Sequence, residues 1–242
     1  MPVCVECGHS ISKLVNEYGQ GNIVLKKCSI CDRFADKYLE HEGIVIFIDL
    51  LLHKPQVYRH ILFNRIQYYD TGLPGPVVKL GLLTMLFDIY IKWFLIEQTC
   101  SERRCSWIYL SPSIQYVQLL LLSLIETLIY QSTVRWIVWL FYGRHYAIFK
   151  YNYVSIALII GSFGKLLLTG MVIWNYELHY TWMLGLLVFT SNIEALKAFL
   201  NVNSVSAMLI VSGGLSTKFL FTAIFARFIL RDFSILKELI VT

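Results

Sequence analysis

After Gly72-Leu73-Pro74-Gly75-Pro76 the chain is written almost entirely in long apolar runs. Five of them, at 77–98, 114–133, 153–174, 180–200 and 205–230, meet the roughly 20 predominantly apolar residues that a helix needs to cross a bilayer. Asp88 and Lys92 interrupt the first run, and Lys218 and Arg227 the fifth, so four spans stands as an alternative to five. Residues 134–142 are apolar too, so the second helix either runs on past the membrane or re-enters it. The composition agrees: 57% of residues are hydrophobic, 15% are charged, and the mean hydropathy is +0.59. A soluble domain carries about 25% charged residues. A disordered chain and an ordinary soluble enzyme are thereby excluded. Six cysteines in 242 residues are too few for a disulfide-dense secreted module.

The two parts of the chain differ in charge. Residues 1–76 hold eight Lys/Arg and eight Asp/Glu, whereas 77–242 hold thirteen and eight, so the whole net +5 lies in the apolar part. That sign suits an anionic membrane surface. Met1-Pro2-Val3-Cys4 has neither a basic nor an apolar signal region, so the N-terminus is expected in the cytosol. Arg135, Arg144 and Lys150 then fall inside, and the loop at 175–177, without Lys or Arg, falls outside. Arg103 and Arg104 vote the other way.

The strongest local signal is Cys4-x2-Cys7, twenty residues, then Cys28-x2-Cys31. A CxxC turn aims two thiolates at one point, and two such turns complete a tetrahedral site that suits a structural zinc ion. Gly8 lets the first turn close with backbone N–H groups directed at sulfur. Residues 23–26 form a short β-prone run into the second turn. Residues 1–40 therefore read as a zinc ribbon, too small for an apolar core and dependent on metal for folding. Two disulfides, or unrelated cysteines, are the alternative. His9 is a candidate to replace a thiolate or to stand beside the site. Cys100 and Cys105 lie at a membrane edge and pair if that loop is lumenal, or stay unpaired.

Residues 41–76 read as an interfacial amphipathic segment. The apolar run at 43–52, broken by Asp49, is too short to cross. Residues 56–69 have helical spacing, with Val57, Ile61, Leu62, Ile66 and Tyr69 on one side and Arg59, His60, Asn64 and Gln67 on another. The apolar side either meets lipid or packs on the chain's own helices.

The two CxxC pairs are followed by Asp36-Lys37-Tyr38-Leu39-Glu40, by Ile48-Asp49-Leu50-Leu51-Leu52-His53-Lys54, and by Gln56-Val57-Tyr58-Arg59-His60-Ile61-Leu62-Phe63-Asn64. Over roughly residues 1–66 this order closely resembles the Arv family of endoplasmic-reticulum membrane proteins. The resemblance implies a homology domain in which Asp36, Tyr38, Glu40, Asp49, His53, Lys54, Gln56, Arg59, His60 and Asn64 carry the motif. It implies a role in sterol homeostasis, namely uptake, trafficking and distribution among membranes. It also implies effects on sphingolipid metabolism and glycosylphosphatidylinositol-anchor synthesis, and residence in the endoplasmic reticulum and the Golgi.

Asp88, Glu126, Lys165, Glu194, Lys197 and Lys218 fall within the apolar runs. Ionisable groups there are costly and face a bundle interior or a cavity. An ion pair is expected between Glu126 and Lys165, or between Lys165 and Glu194, as interhelical glue or as the lining of a lipid-conducting groove. No nucleophile elbow, phosphate loop or HExxH motif points to catalysis. Nucleic acid is an unsuitable partner for a charge-balanced N-terminal part. The expected fold is therefore a membrane all-α bundle of four or five transmembrane helices in 77–242, with a small N-terminal zinc ribbon. The expected function is non-enzymatic handling of membrane lipid, sterol foremost. The alternatives are an adaptor that recruits lipid-synthesis enzymes of the endoplasmic reticulum, and an undetected membrane enzyme acting on lipid.

Overall fold

The structure is a computed structural model that describes residues 2–17, 19, 23–66, 72–103, 109–143, 150–167, 170 and 181–227. Strands β1 (Val15–Glu17) and β2 (Ile23–Leu25) pair antiparallel, with Val15 opposite Leu25 and Glu17 opposite Ile23. A 3-10 turn at Lys37–Leu39 leads out of this unit, and Asp36 caps it by accepting from the Tyr38 N–H. Helices α1 (Gly43–Leu51) and α2 (Pro55–Arg59) follow, and α2 continues as a π-helical turn over His60–Arg65. Pro55 opens α2, where a missing N–H costs nothing and the fixed φ suits a helix start.

The apolar part forms α3 (Gly75–Arg103), α4 (Pro112–Tyr142), α5 (Lys150–Gly161), α6 (Thr181–Leu200) and α7 (Ser204–Phe225). Among the described residues three helices are long and apolar enough to cross a membrane: Pro112–Tyr142, Trp182–Leu200 and Ser204–Phe225. The second apolar run is thus one helix of 31 residues. At 1.5 Å per residue it exceeds a hydrocarbon core of about 30 Å. The first run lies inside α3, which is long but carries Asp88 and Lys92 at mid-length. In the third run α5 gives way to a 3-10 turn at Ser162–Gly164, and among the described residues the apolar helix there covers Asn152–Leu167. Gly161 and Gly164 press against α6 at this break. A Cβ on Gly161 would meet Asn192 Oδ1 at 2.8 Å, and one on Gly164 would meet Leu187 Cδ2 at 2.5 Å. Backbones that approach this closely trade helical regularity for packing.

Gly214 does the same for α4 and α7, where an added Cβ would meet Val134 Cγ2 at 2.6 Å and the Tyr130 ring at 2.9 Å. Val134 and Val138 on α4 share a core with Ile210 and Val211 on α7, and with Val154, Leu158 and Leu196 on α5 and α6. Outward, Leu128, Trp136, Phe141, Leu209 and Leu220 are all more than half exposed, as helices solvated by lipid require.

The segment after the ribbon packs on this bundle. Val57, Tyr58 and Leu62 are fully buried in one core with Ile156, Ala157, Ala195 and Ala198, so the apolar side of the predicted 56–69 helix meets the chain's own helices. Its helix ends at Arg65, and Gln67 and Tyr69 lie outside the described residues. The exposed apolar surface of this module is instead on α1, at Ile44, Val45, Phe47 and Ile48. Cys105, Arg104, Arg144 and the loop at 175–177 also lie outside the described residues, as do the ends of the third and fifth runs. Cys100 is buried against α4 and α7.

Candidate metal centre and the clamp beneath it

The two CxxC turns are built alike. The Gly8 N–H donates to the Cys4 carbonyl (2.9 Å) and the Cys4 N–H to the His9 carbonyl (2.8 Å). In the second turn Asp32 donates to Cys28 (3.0 Å) and Cys28 to Arg33 (2.8 Å). Each turn closes on a residue with positive φ, Gly8 at 76° and Asp32 at 55°. Glycine at the first position announces this geometry. Asp32 is easily missed, because aspartate enters the left-handed region less often and leaves a weaker mark in the sequence.

The four sulfurs of Cys4, Cys7, Cys28 and Cys31 lie within 4.8 Å of one another. The Cys4–Cys31 and Cys7–Cys28 separations are both 3.7 Å. A tetrahedron with metal–sulfur bonds of about 2.3 Å has edges of about 3.8 Å, so the cluster fits a tetrahedral metal ion. All four cysteines are free thiols, which corrects the disulfide alternative. Burial pushes the Cys4 thiol up to about 12, whereas the N–H groups of Cys31 and Ile30 draw Cys28 down to about 7. His9 is exposed, and the four thiols form the cluster without it.

The motif residues tie this centre to the helices below. Asp36 is fully buried and accepts from the Tyr38 N–H (3.0 Å), His60 Nδ1 (2.7 Å) and Asn64 Nδ2 (2.6 Å). Asn64 also pairs with both backbone groups of Val3, at 2.9 and 3.0 Å. Arg59 Nη1 donates to the carbonyls of Val5 and Glu6 inside the first turn, at 2.9 and 2.8 Å. Gln56 donates to the Glu6 carboxylate (3.3 Å), which Lys37 and Arg33 also approach. The Tyr38 hydroxyl donates to Asp49 (2.8 Å), and Lys54 holds the other Asp49 oxygen (2.6 Å). His53 Nε2 donates to the Leu187 carbonyl on α6 (3.1 Å), and the Tyr58 hydroxyl meets Ser191 (2.8 Å). Glu40 is exposed, and its N–H closes the 3-10 turn onto Lys37. The polar side of α2 thus faces the ribbon, and the motif side chains act as a clamp.

The model of the Arv1-like family matches residues 3–196, most of the chain. The chain belongs to the Arv1-like family. A Dictyostelium discoideum protein named as an arv1 homolog is 36% identical over 231 residues, covering 92% of this chain and 94% of that protein. The arv1 protein of Schizosaccharomyces pombe is 35% identical over 80% of this chain and 73% of its own length. Human ARV1 is 28% identical over 88% of this chain and 77% of its own length. No solved structure matches. The likeness therefore reaches well beyond residues 1–66 and takes in α3 to α6.

In this Arv1-like protein Asp88, Lys92, Glu126, Lys165 and Lys218 form one cluster, but not with the expected partners. Lys165 pairs with Asp88 (2.6 Å), whereas Glu126 pairs with Lys92 (2.6 Å) and lies 3.8 Å from Lys218. Lys92 also holds Asp88 (2.8 Å), so Glu126 and Lys165 are joined only through that pair. Ser123 bridges Lys92 and Asp88, and the Thr222 hydroxyl donates to Glu126 (2.6 Å). Glu194 pairs locally with Lys197 at i,i+3 (3.1 Å) and lies outside the cluster. Chain adjacency of α4 and α5 misleads here, because the carboxylate that Lys165 reaches belongs to α3. Lys92 reads in the sequence as a mere interruption of the first run, although its i,i+4 spacing from Asp88 is a usable signal.

Proposed function

We propose that this Arv1-like protein is a multi-pass protein of the endoplasmic reticulum, with its ribbon in the cytosol, that mediates sterol homeostasis by moving or presenting sterol among membranes. Effects on sphingolipid metabolism and glycosylphosphatidylinositol-anchor synthesis, and residence in the Golgi, belong to the same reading. The observation that carries it is a bundle apolar outside that encloses one charged cluster, where Lys92 is fully buried among carboxylates. Helices of that kind are suited to lipid on their surface and to a headgroup inside. Zinc on Cys4, Cys7, Cys28 and Cys31 supplies a tetrahedral tie when bound, and the chain's own Arg59, Asn64 and Asp36 transmit it to α2. The role is non-enzymatic, which fits relatives whose names state no activity.

A photoactivatable sterol on the purified full chain tests this. Saturable labelling within 75–225, competed by unlabelled sterol, is expected. Absence of labelling together with co-purifying enzyme subunits favours the adaptor instead. A specific feature speaks for that second reading: a cleft of about 380 Å³ on the ribbon, lined by Lys27, Asp32, Arg33 and Phe34, with Phe34 about half exposed.

A further inference from the structure

Helix α1 turns its one charge inward. Ile46, Asp49 and Leu50 are buried, and Ile46 and Leu50 share a core with Ile160 and Phe163. Asp49 is held there by the Tyr38 hydroxyl and the Lys54 ammonium. The opposite side shows Ile44, Val45, Phe47, Ile48 and the C-cap Leu52, each between 39% and 67% exposed. Residues 44, 48 and 52 form one row and 47 lies beside it, so these side chains make a single uncharged stripe.

Contacts with α6 fix the level of this stripe. His53 Nε2, one residue past Leu52, lies 3.1 Å from both the Leu187 carbonyl and the Thr190 hydroxyl. Both residues lie well inside Trp182–Leu200, a helix long and apolar enough to cross a membrane. At 1.5 Å per residue His53 is held about 8 to 12 Å in from the nearer end of that helix. Thr190 is on the outward side of α6, in line with Met183 and Leu186, which are both about half exposed. From His53 the chain runs along α6 toward Leu200, with Tyr58 on Ser191 and the Phe63 ring stacked on Phe199 at 6.1 Å. The ribbon sits at that same end, since Asn64 pairs with Val3. Residues 43–65 thus leave the ribbon, turn beside the interior of α6 and return.

We propose that residues 43–65 are a re-entrant helical hairpin, embedded in the membrane beside α6, whose α1 stripe rests against lipid acyl chains. The level selects this occupant: the stripe continues the outward apolar surface of a span, where a water-soluble partner does not reach. The absence of charge on the stripe agrees. Alone, α1 is too short to cross. The backbone of the hairpin is compatible with such a place, because it is helical and its turn is closed by the His53 and Lys54 N–H groups on Leu50 and Asp49. The proposal goes beyond the lipid-handling reading: it holds for any lipid cargo and rests only on α6 crossing the bilayer.

Photo-crosslinking of the full chain in phosphatidylcholine vesicles tests it. The photoreactive residue benzoylphenylalanine replaces Ile48, or Leu52 where the first variant does not fold. The same probe at Leu186 on α6 and at Phe34 on the ribbon gives the references, since both are about half exposed. Mass spectrometry should find one phosphatidylcholine joined through an acyl carbon at Ile48, in a yield comparable to Leu186, and none at Phe34. Lipid adducts at Leu186 without any on α1 overturn the proposal and leave α6 as a span. Adducts on α1 confined to glycerol or headgroup also overturn it, because α1 would then lie on the surface. A crosslinked dimer in place of the lipid adduct overturns it too, because a second copy would cover the stripe. Absence of lipid at every position sinks both the hairpin and the span of α6. Loss of sterol labelling with the α1 adduct intact sinks only the sterol reading.

Discussion

Asp36 is where the clamp converges, and its surroundings set the cost of losing it. A fully buried carboxylate accepts from a backbone N–H, an imidazole and an amide, so its removal strands three donors. Asp36→Ala should destabilise the protein by about 3 kcal/mol, the scale for leaving buried donors unsatisfied. Asp36→Asn should cost less, because it keeps one acceptor oxygen. Thermal unfolding in detergent ranks the two, and equal costs would show that the retained oxygen contributes nothing. Asp49 behaves differently because it titrates. Burial would raise its carboxyl, but the bonds from Lys54 and Tyr38 outweigh that and hold it below the usual carboxylate range. A lowered folded-state value gives stability that is present above the unfolded value of about 4 and is lost as pH falls through the folded one. Asp49→Asn should therefore lower the midpoint at neutral pH, with the gap to the unmodified chain closing below about pH 4. At this scale the four cysteines and Gly8 were legible, since thiol chemistry and a missing Cβ leave few other uses. The partners of Asp36 and Asp49 were not, because hydrogen bonds across 24 and 11 residues depend on a fold that spacing does not specify.

Helix α1 ends in a Schellman turn, with the His53 N–H on the Leu50 carbonyl and the Lys54 N–H on that of Asp49, both at 3.1 Å. The left-handed residue of that turn is His53, at φ 54°, where glycine would be the easy choice. Histidine stands there while its ring reaches α6. His53→Ala loses the ring and keeps the strain, whereas His53→Gly loses the ring and relieves it. The glycine variant should be the more stable by about 1 kcal/mol, measured by unfolding of the pair. Between helices the charge cluster makes a second prediction. Asp88→Ala leaves three lysines around Glu126, whereas Lys165→Met leaves a balanced cluster. The aspartate variant should lose more thermal stability in detergent, and the reverse order would mean the lysine excess is not felt. Four of the apolar runs appear as helices close to their predicted places, because hydropathy marks length well. The break after Gly161 was not visible. It follows from contact with Asn192 and Leu187 on α6, which no local pattern encodes.

For the whole molecule, what matters is that ribbon and bundle share a boundary made from both. Val5 from the first CxxC turn lies in one core with Val57, Ile156 and Ala195, so that turn is part of the packing of α5 and α6. The chain N-terminal to α3 contributes Tyr38, Leu50 and Leu62 to that same core. Metal loss should therefore propagate along one route and not another. Residues 2–40 have few apolar contacts of their own, and thiols that lose an ion lose the bonds that hold the two turns together. Arg59 and Asn64 would then lose acceptors that exist only while the turn is closed. The α4–α7 contact, built on Gly214 and Val134, shares none of these bonds. Cys28→Ser, or a chelator on the full chain, should speed amide hydrogen exchange over residues 2–40 and over 55–65. Exchange over Pro112–Tyr142 and Ser204–Phe225 should stay as before. Unchanged exchange over 55–65 would mean that the clamp holds without metal and that the ribbon is only a passenger on the bundle. Faster exchange in all helices would mean that the metal stabilises the whole fold.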